Sequence, residues 1–263
     1  MKGMIFVGCS FTHGHGLWHY GDFSNTPSVD ADDYGRKYAL IRYASIHRFP
    51  RLVSNHFNTW EFVRDDYSGD DKDSVGILHK MFKIDERLYY YGNQLDVYNF
   101  EDISHVIFQT SYIDRCSYIY NSETKDRLNL NEIEENKQIE ILLKWGFSNI
   151  EDFYNKLIEQ WYCEIRNLFD IFESKGIKCY MMSITNDYLE LIENDSFIKD
   201  RFIKINYEGI EFNTISELMQ YDTSLIIKND YVNLKNPPLD NHPSLECHKI
   251  IANSIIKKIE QNG

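Results

Sequence analysis

Two hydrophobic patterns alternate along the chain. Short runs rich in apolar residues at 4–7 (MIFV), 59–63 (TWEFV), 103–109 (ISHVIFQ) and 177–184 (IKCYMMSI) have the length and the β-branched or aromatic content of strands. Between and after them, apolar residues recur every three or four positions, the spacing of one helix face. One such stretch is 37–57, with Leu40, Tyr43, Ala44, Ile46, Leu52 and Val53, where Pro50 breaks or begins a helix. Another carries Val75, Leu78, Met81 and Phe82. The strongest carries Phe153, Leu157, Trp161, Ile165, Leu168, Phe169 and Phe172 and stops at Lys175-Gly176, while 248–259 ends the chain with a last helical stripe. A short helix is predicted at 215–221 within the mixed stretch 185–236, and 86–102, with three consecutive tyrosines, receives no element.

Strands alternating with helices predict an α/β architecture, a doubly wound and mainly parallel sheet with helices on both faces. The helical stripe between the runs at 103–109 and 177–184 is the crossover of a βαβ unit. No internal repeat and no Pro/Gly/Ser linker divides residues 1–263, so a single domain is expected. Residues 112–149 run polar and charged, which predicts an insertion with some helix and a solvated face without chemistry. Residues 17–36, rich in Asp, Ser, Asn and Gly, read as a loop over the active face or its rim.

Composition narrows the function classes. With 43% hydrophobic and 15% aromatic residues, the 263-residue chain can bury a sizeable core. A formal charge of −13, from 41 acidic against 28 basic residues with no basic stripe, opposes nucleic acid as a partner. Five cysteines without a C-x-x-C pair fit neither a zinc ribbon nor a disulfide framework and are expected in a reducing cytoplasm. The first apolar run is too short for a signal peptide, and no stretch has the length of a membrane span, so no membrane partner is expected.

Candidate chemistry sits at the two ends of the chain. The first run stops at Gly8-Cys9-Ser10-Phe11-Thr12, which places Ser10 just past the carboxyl end of a buried strand, where α/β sheets bind ligands. Read alone, Ser10 would serve equally well as a helix cap. Thr12 stands where the second glycine of a G-x-S-x-G elbow would be, so that motif is absent. A serine nucleophile needs a base, and the base needs an orienting carboxylate. Asp240-Asn241-His242-Pro243-Ser244 supplies both, since residues two apart in an extended segment face the same side. His13-Gly14-His15 with His19 invites a metal reading, zinc or nickel. No carboxylate or cysteine at ligand spacing completes a shell apart from Cys9, so no metal is assigned. His13 and His15 are expected at the cleft mouth, where they could contact substrate.

Together these ends resemble the SGNH, or GDSL, hydrolase superfamily, in which the serine lies in a G-D-S-like motif near the amino terminus and Asp and His lie close together near the carboxyl terminus. Cys9 stands where Asp is commoner, and Cys247 stands where a glycine is usual before His248. The resemblance implies a three-layer α/β/α flavodoxin-like fold, no cofactor, and a triad of Ser10, His242 and Asp240. It further implies oxyanion donors at the Ser10 N–H and at Gly69, which follows the second strand. The usual G-x-N-D after the third strand is missing. In its place stands Gln109-Thr110-Ser111-Tyr112-Ile113-Asp114-Arg115, similar to a branch among phage and bacterial sequences, and Gln109, Ser111 or Arg115 could supply the third donor. The implied activity is hydrolysis of a small-molecule or carbohydrate ester, with O-acetyl sugars as the default substrate. Two alternatives keep the same fold: a non-catalytic carbohydrate-binding protein, suggested by the missing asparagine and the 19 tyrosines, and an acyltransferase using the same triad.

Overall fold

Strands with apolar side chains on both faces, such as Met4-Ile5-Phe6-Val7, are stable only if both faces of the sheet are covered. In the computed structural model this is what the runs form. The structure describes residues 2–13, 17, 45–65, 71–84, 98–111, 118–120, 127–129, 134–227 and 242–262. Its elements in chain order are β1 (Gly3–Gly8), α1 (Ser10–His13), α2 (Phe49–His56), β2 (Glu61–Asp65), α3 (Asp71–Met81), β3 (Ile103–Thr110), β4 (Tyr118–Tyr120), β5 (Arg127–Asn129) and α4 (Glu135–Lys144). They continue with α5 (Ile150–Ser174), β6 (Lys178–Ser183), α6 (Leu189–Asn194), α7 (Ser196–Lys199), β7 (Ile205–Tyr207), β8 (Ile210–Phe212), α8 (Ile215–Tyr221) and α9 (Leu245–Gln261).

A parallel sheet in the order β2-β1-β3-β6 forms the centre. Beyond β6 the edge continues as single parallel bridges. Ile203 N–H donates to Met181 O at 2.8 Å, pairing Met181 with Phe202, and Ser183 pairs with Thr214.

The period of two along each strand sends alternate side chains into two cores. Ile5, Val7, Val106, Phe108 and Met181 join α3 and α5 on one face, while Met4, Phe6, Ile107, Tyr180 and Met182 join α2 and α9 on the other. The result is a three-layer α/β/α arrangement, the architecture expected from the hydrophobic pattern. Truncating a large, wholly buried side chain such as Phe172 would cost about 3–5 kcal/mol.

Local signals explain most element ends. Pro50 sits in the first turn of α2 and so begins that helix. The Asn149 side chain caps α5 by accepting from Asp152 N–H at 2.8 Å, and Gly176, at φ 78°, follows the end of the same helix. Thr214 and Glu217 form a reciprocal capping box on α8.

Three expectations shift. The second strand is Glu61–Asp65 rather than 59–63, because Met4 N–H bonds Trp60 O at 2.9 Å and pairing then starts at Met4 opposite Glu61. The last helix begins at Leu245, since the Ser244 hydroxyl caps it by accepting from Cys247 N–H. The hairpins β4–β5 and β7–β8 have strands of three residues, too short for periodicity to reveal. Among the described residues no helix is long and apolar enough to cross a membrane.

Candidate active site

β1 lies between β2 and β3, and all six of its residues are buried. It ends at Gly8, and after Cys9 the chain turns at once into α1, whose first residue is Ser10. The turn can sit this close to the sheet because residue 8 has no side chain. A Cβ at Gly8 would strike Thr12 Oγ1 and stand 2.8 Å from Gln109 Cβ. Ser10 thus follows the carboxyl end of an inner strand, at the edge where parallel sheets present ligand sites.

Beneath that turn, β3 delivers buried polar groups. Gln109, 1% exposed, donates from Nε2 to Cys9 Sγ at 3.2 Å, and Phe11 N–H donates to the same sulfur at 3.4 Å. Thr110 and Ser183 hydroxyls lie 2.6 Å apart. Since the Ser183 hydroxyl donates to Thr185 O at 2.6 Å, Thr110 is the donor between them. Ser111, also buried, ends this row. Two buried oxygens of the cluster, Thr12 Oγ1 and Gln109 Oε1, have no hydrogen-bond partner among the described residues.

His242 enters from the other end of the chain. Its main chain is held antiparallel to the segment after α8: Ile227 N–H donates to His242 O at 2.9 Å, and Ser244 N–H donates to Leu225 O at 2.7 Å. The half-buried imidazole meets the Phe11 ring at a centroid distance of 5.2 Å. The histidine is therefore brought next to the residue that follows Ser10.

His248, one turn into α9, has a different role. It is wholly buried, its Nδ1 accepts from Phe49 N–H at 3.1 Å, and its ring stacks on Phe49 at 5.6 Å. Burial, followed by the charges of His242 and Arg48, pushes its pKa down to about 3. It is therefore neutral, with its proton on Nε2, and serves as a fixed acceptor that ties α2 to α9.

Of the residues singled out in the sequence, Gln109, Ser111 and His242 are described, and so is the backbone of Ser10 and His13. The side chains of Ser10 and His13, together with Gly69, Arg115, His15 and Asp240, lie outside the described residues. Among the described residues no group of histidine, cysteine, aspartate or glutamate has the arrangement of a metal site. Sequence reasoning missed the Cys9–Gln109 pair and the Gly8 contact, which join residues about a hundred positions apart. Their only signal was a run of small residues closing a buried strand.

The described residues thus define a doubly wound α/β protein with buried neutral polar groups gathered at the carboxyl edge of its sheet. No family model and no curated protein matches the chain. It is similar to solved structures over nearly its whole length. One is a protein described as lipolytic, of the G-D-S-L family, from Desulfitobacterium hafniense DCB-2, at 12% identity and TM-score 0.43, covering 98% of this chain and 99% of that one. A second is a carbohydrate esterase whose active site is described as displaying divergent catalytic and non-catalytic binding functions, at 14% identity and TM-score 0.46, covering 99% and 68%. A third is the psychrotrophic esterase EstA from Pseudoalteromonas sp., in a structure inhibited by monoethylphosphonate, at 8% identity and TM-score 0.46, covering 99% and 98%.

Proposed function

We propose that the protein is a serine esterase of the SGNH type. In this reading the Ser10 hydroxyl attacks an ester carbonyl while His242 takes its proton, and Asp240 orients the imidazole and stabilises its charged form. The tetrahedral oxyanion is held by the N–H groups of Ser10 and Gly69. The third donor is Gln109, whose Nε2 keeps a second N–H beyond the one given to Cys9, or Ser111 or Arg115. His242 then returns the proton to the departing alcohol, and water cleaves the acyl-enzyme by the same relay. His13 and His15 border the substrate, which is a small-molecule or carbohydrate ester, with an O-acetyl sugar as the default. The expected setting is the cytoplasm.

The observation that carries this reading is the contact of the His242 ring with Phe11, because it brings the candidate base beside the turn that begins with Ser10. A fluorophosphonate probe tests it. Wild-type protein is expected to label and Ser10→Ala is not, and p-nitrophenyl acetate hydrolysis should fall by roughly 10³-fold or more in Ser10→Ala and His242→Ala. Equal labelling of wild type and Ser10→Ala would remove Ser10 as the nucleophile. A folded wild type that neither labels nor hydrolyses would favour the non-catalytic carbohydrate-binding alternative.

A further inference from the structure

We infer that Cys9 and Gln109 are positioning residues, whose sulfur and amide together clamp the turn that carries Ser10 onto β3. The inference rests on the hydrolase reading above and names what holds its nucleophile in place. Cys9 is wholly buried and immediately precedes Ser10. Its sulfur accepts from two directions: from Phe11 N–H at 3.4 Å, just after Ser10, and from Gln109 Nε2 at 3.2 Å, on the neighbouring strand. The first bond closes the turn around Ser10, and the second ties the turn to the sheet.

The surroundings fit this role. Gln109 is 1% exposed and its Nε2 donates to the sulfur rather than turning to solvent. A Cβ at Gly8 would stand 3.1 Å from Gln109 Nε2 and would also strike Thr12 Oγ1 on the other side of the turn. The amide therefore reaches the sulfur through space that only a glycine leaves open. Sulfur is a weak acceptor, so neither bond alone is strong. The value of the pair lies in geometry, because misplacing a reacting group by about 1 Å can cost on the order of 10²-fold in rate.

The test compares wild type with Cys9→Ala, Gln109→Met, the double variant and Cys9→Ser. Each full-length protein is followed by p-nitrophenyl acetate kinetics, by the rate of fluorophosphonate labelling and by thermal melting. Cys9→Ala removes the acceptor, whereas Gln109→Met removes the donor at similar volume and also eliminates the unpartnered Oε1. Each single change is expected to lower kcat and the labelling rate by roughly 10- to 100-fold with KM nearly unchanged. The double variant should be no worse than the worse single, since both changes break one clamp, and Cys9→Ser, which restores an acceptor, should recover most of the rate.

Folded variants that keep wild-type kcat would overturn the clamp, as would losses that multiply in the double variant or that fall on KM. If Cys9→Ala does not fold, Gln109→Met alone decides by the same kcat criterion. Ser10→Ala separates the two claims. If it labels like wild type, the hydrolase reading fails; if it does not label while Cys9→Ala and Gln109→Met label at the wild-type rate, only the clamp fails.

Discussion

Around the amino end of β6, Arg201 donates from Nε and Nη2 to the two oxygens of Glu173, each at 2.5 Å, and Lys178 Nζ donates to Asn262 O at 3.1 Å. Nearby, the Phe197 ring is covered by two guanidinium groups, Arg166 and Arg201, each 3.6 Å from its centroid. A groove of about 650 Å³ is bordered by Glu173, Lys178, Arg201 and Asn262, but its arginine and Lys178 are already paired. Around the carboxyl ends of β1 and β3 the chemistry is different. Neutral groups predominate there, a thiol collects two N–H donors, and Thr12 Oγ1 and Gln109 Oε1 are buried without hydrogen-bond partners among the described residues. Orphaned buried polar atoms are costly and uncommon, and natural proteins concentrate such departures at functional sites. The arginine and Lys178 of the groove at the amino edge are tied into pairs that structure alone explains. At the carboxyl ends of β1 and β3 the unpartnered Thr12 and Gln109 oxygens lie beside the turn that carries Ser10.

The largest way to break this contrast is at Gly8. Gly8→Ala should clash with the Thr12 hydroxyl and with Gln109 Cβ at 2.8 Å, both on packed elements. We expect a loss of about 1–3 kcal/mol in urea unfolding, together with loss of esterase activity, since the turn bearing Ser10 must move. Wild-type stability and turnover in this variant would show that the turn does not depend on close approach to β3. At the opposite edge, Arg201→Met removes a bidentate pair whose side chains are only 23% and 28% exposed. The cost expected there is smaller, about 1–2 kcal/mol after allowing for solvent screening, with kcat/KM unchanged. A fall in kcat/KM at full occupancy of the folded state would mean that the two edges are coupled.

How much of this was legible in the sequence follows from the range of each signal. The strand 103–109 and the stripe from Phe153 to Phe172 declared themselves because burial on both faces gives consecutive apolar residues, here Val106-Ile107-Phe108, and burial on one face forces the 3.6-residue period. Pro50 announced the start of α2 through its fixed φ. Ser10 and His242 were singled out by chemistry, since a serine nucleophile needs a base and the base a carboxylate, which Asp240-Asn241-His242 offers. What stayed hidden is long-range or very short. The bond from Gln109 to Cys9 depends on strand register, which no local pattern encodes, and the same residue could be read only as a possible oxyanion donor. Hairpins with three-residue strands carry no period to read. The Ser244 cap moved the start of α9 ahead of the apolar stripe because capping residues are polar by necessity.

The smallest test uses two histidines, half-buried His105 on β3 and wholly buried His248 on α9. His105, between the rings of Phe57 and Tyr180, has its pKa lowered to about 4 by burial and then by Lys178. His248 is lowered further, to about 3, by burial and then by His242 and Arg48. In both cases the unfolded chain, with a histidine pKa of about 6.5, takes up a proton before the folded protein does. Stability is therefore full above about pH 6.5 and declines as pH falls towards the folded pKa, at about 4 for His105 and about 3 for His248. His248→Gln keeps an acceptor for Phe49 N–H and removes the titration, so near pH 6 it should spare about 1 kcal/mol of the acid-induced loss seen in wild type. Its advantage should keep growing to about pH 3, whereas that of His105→Gln should stop growing near pH 4. Urea unfolding at a series of pH values reads both curves. If the His248→Gln curve parallels wild type throughout, His248 titrates in the folded protein as it does in the unfolded chain, and its assignment as a neutral acceptor for Phe49 N–H in acid is wrong.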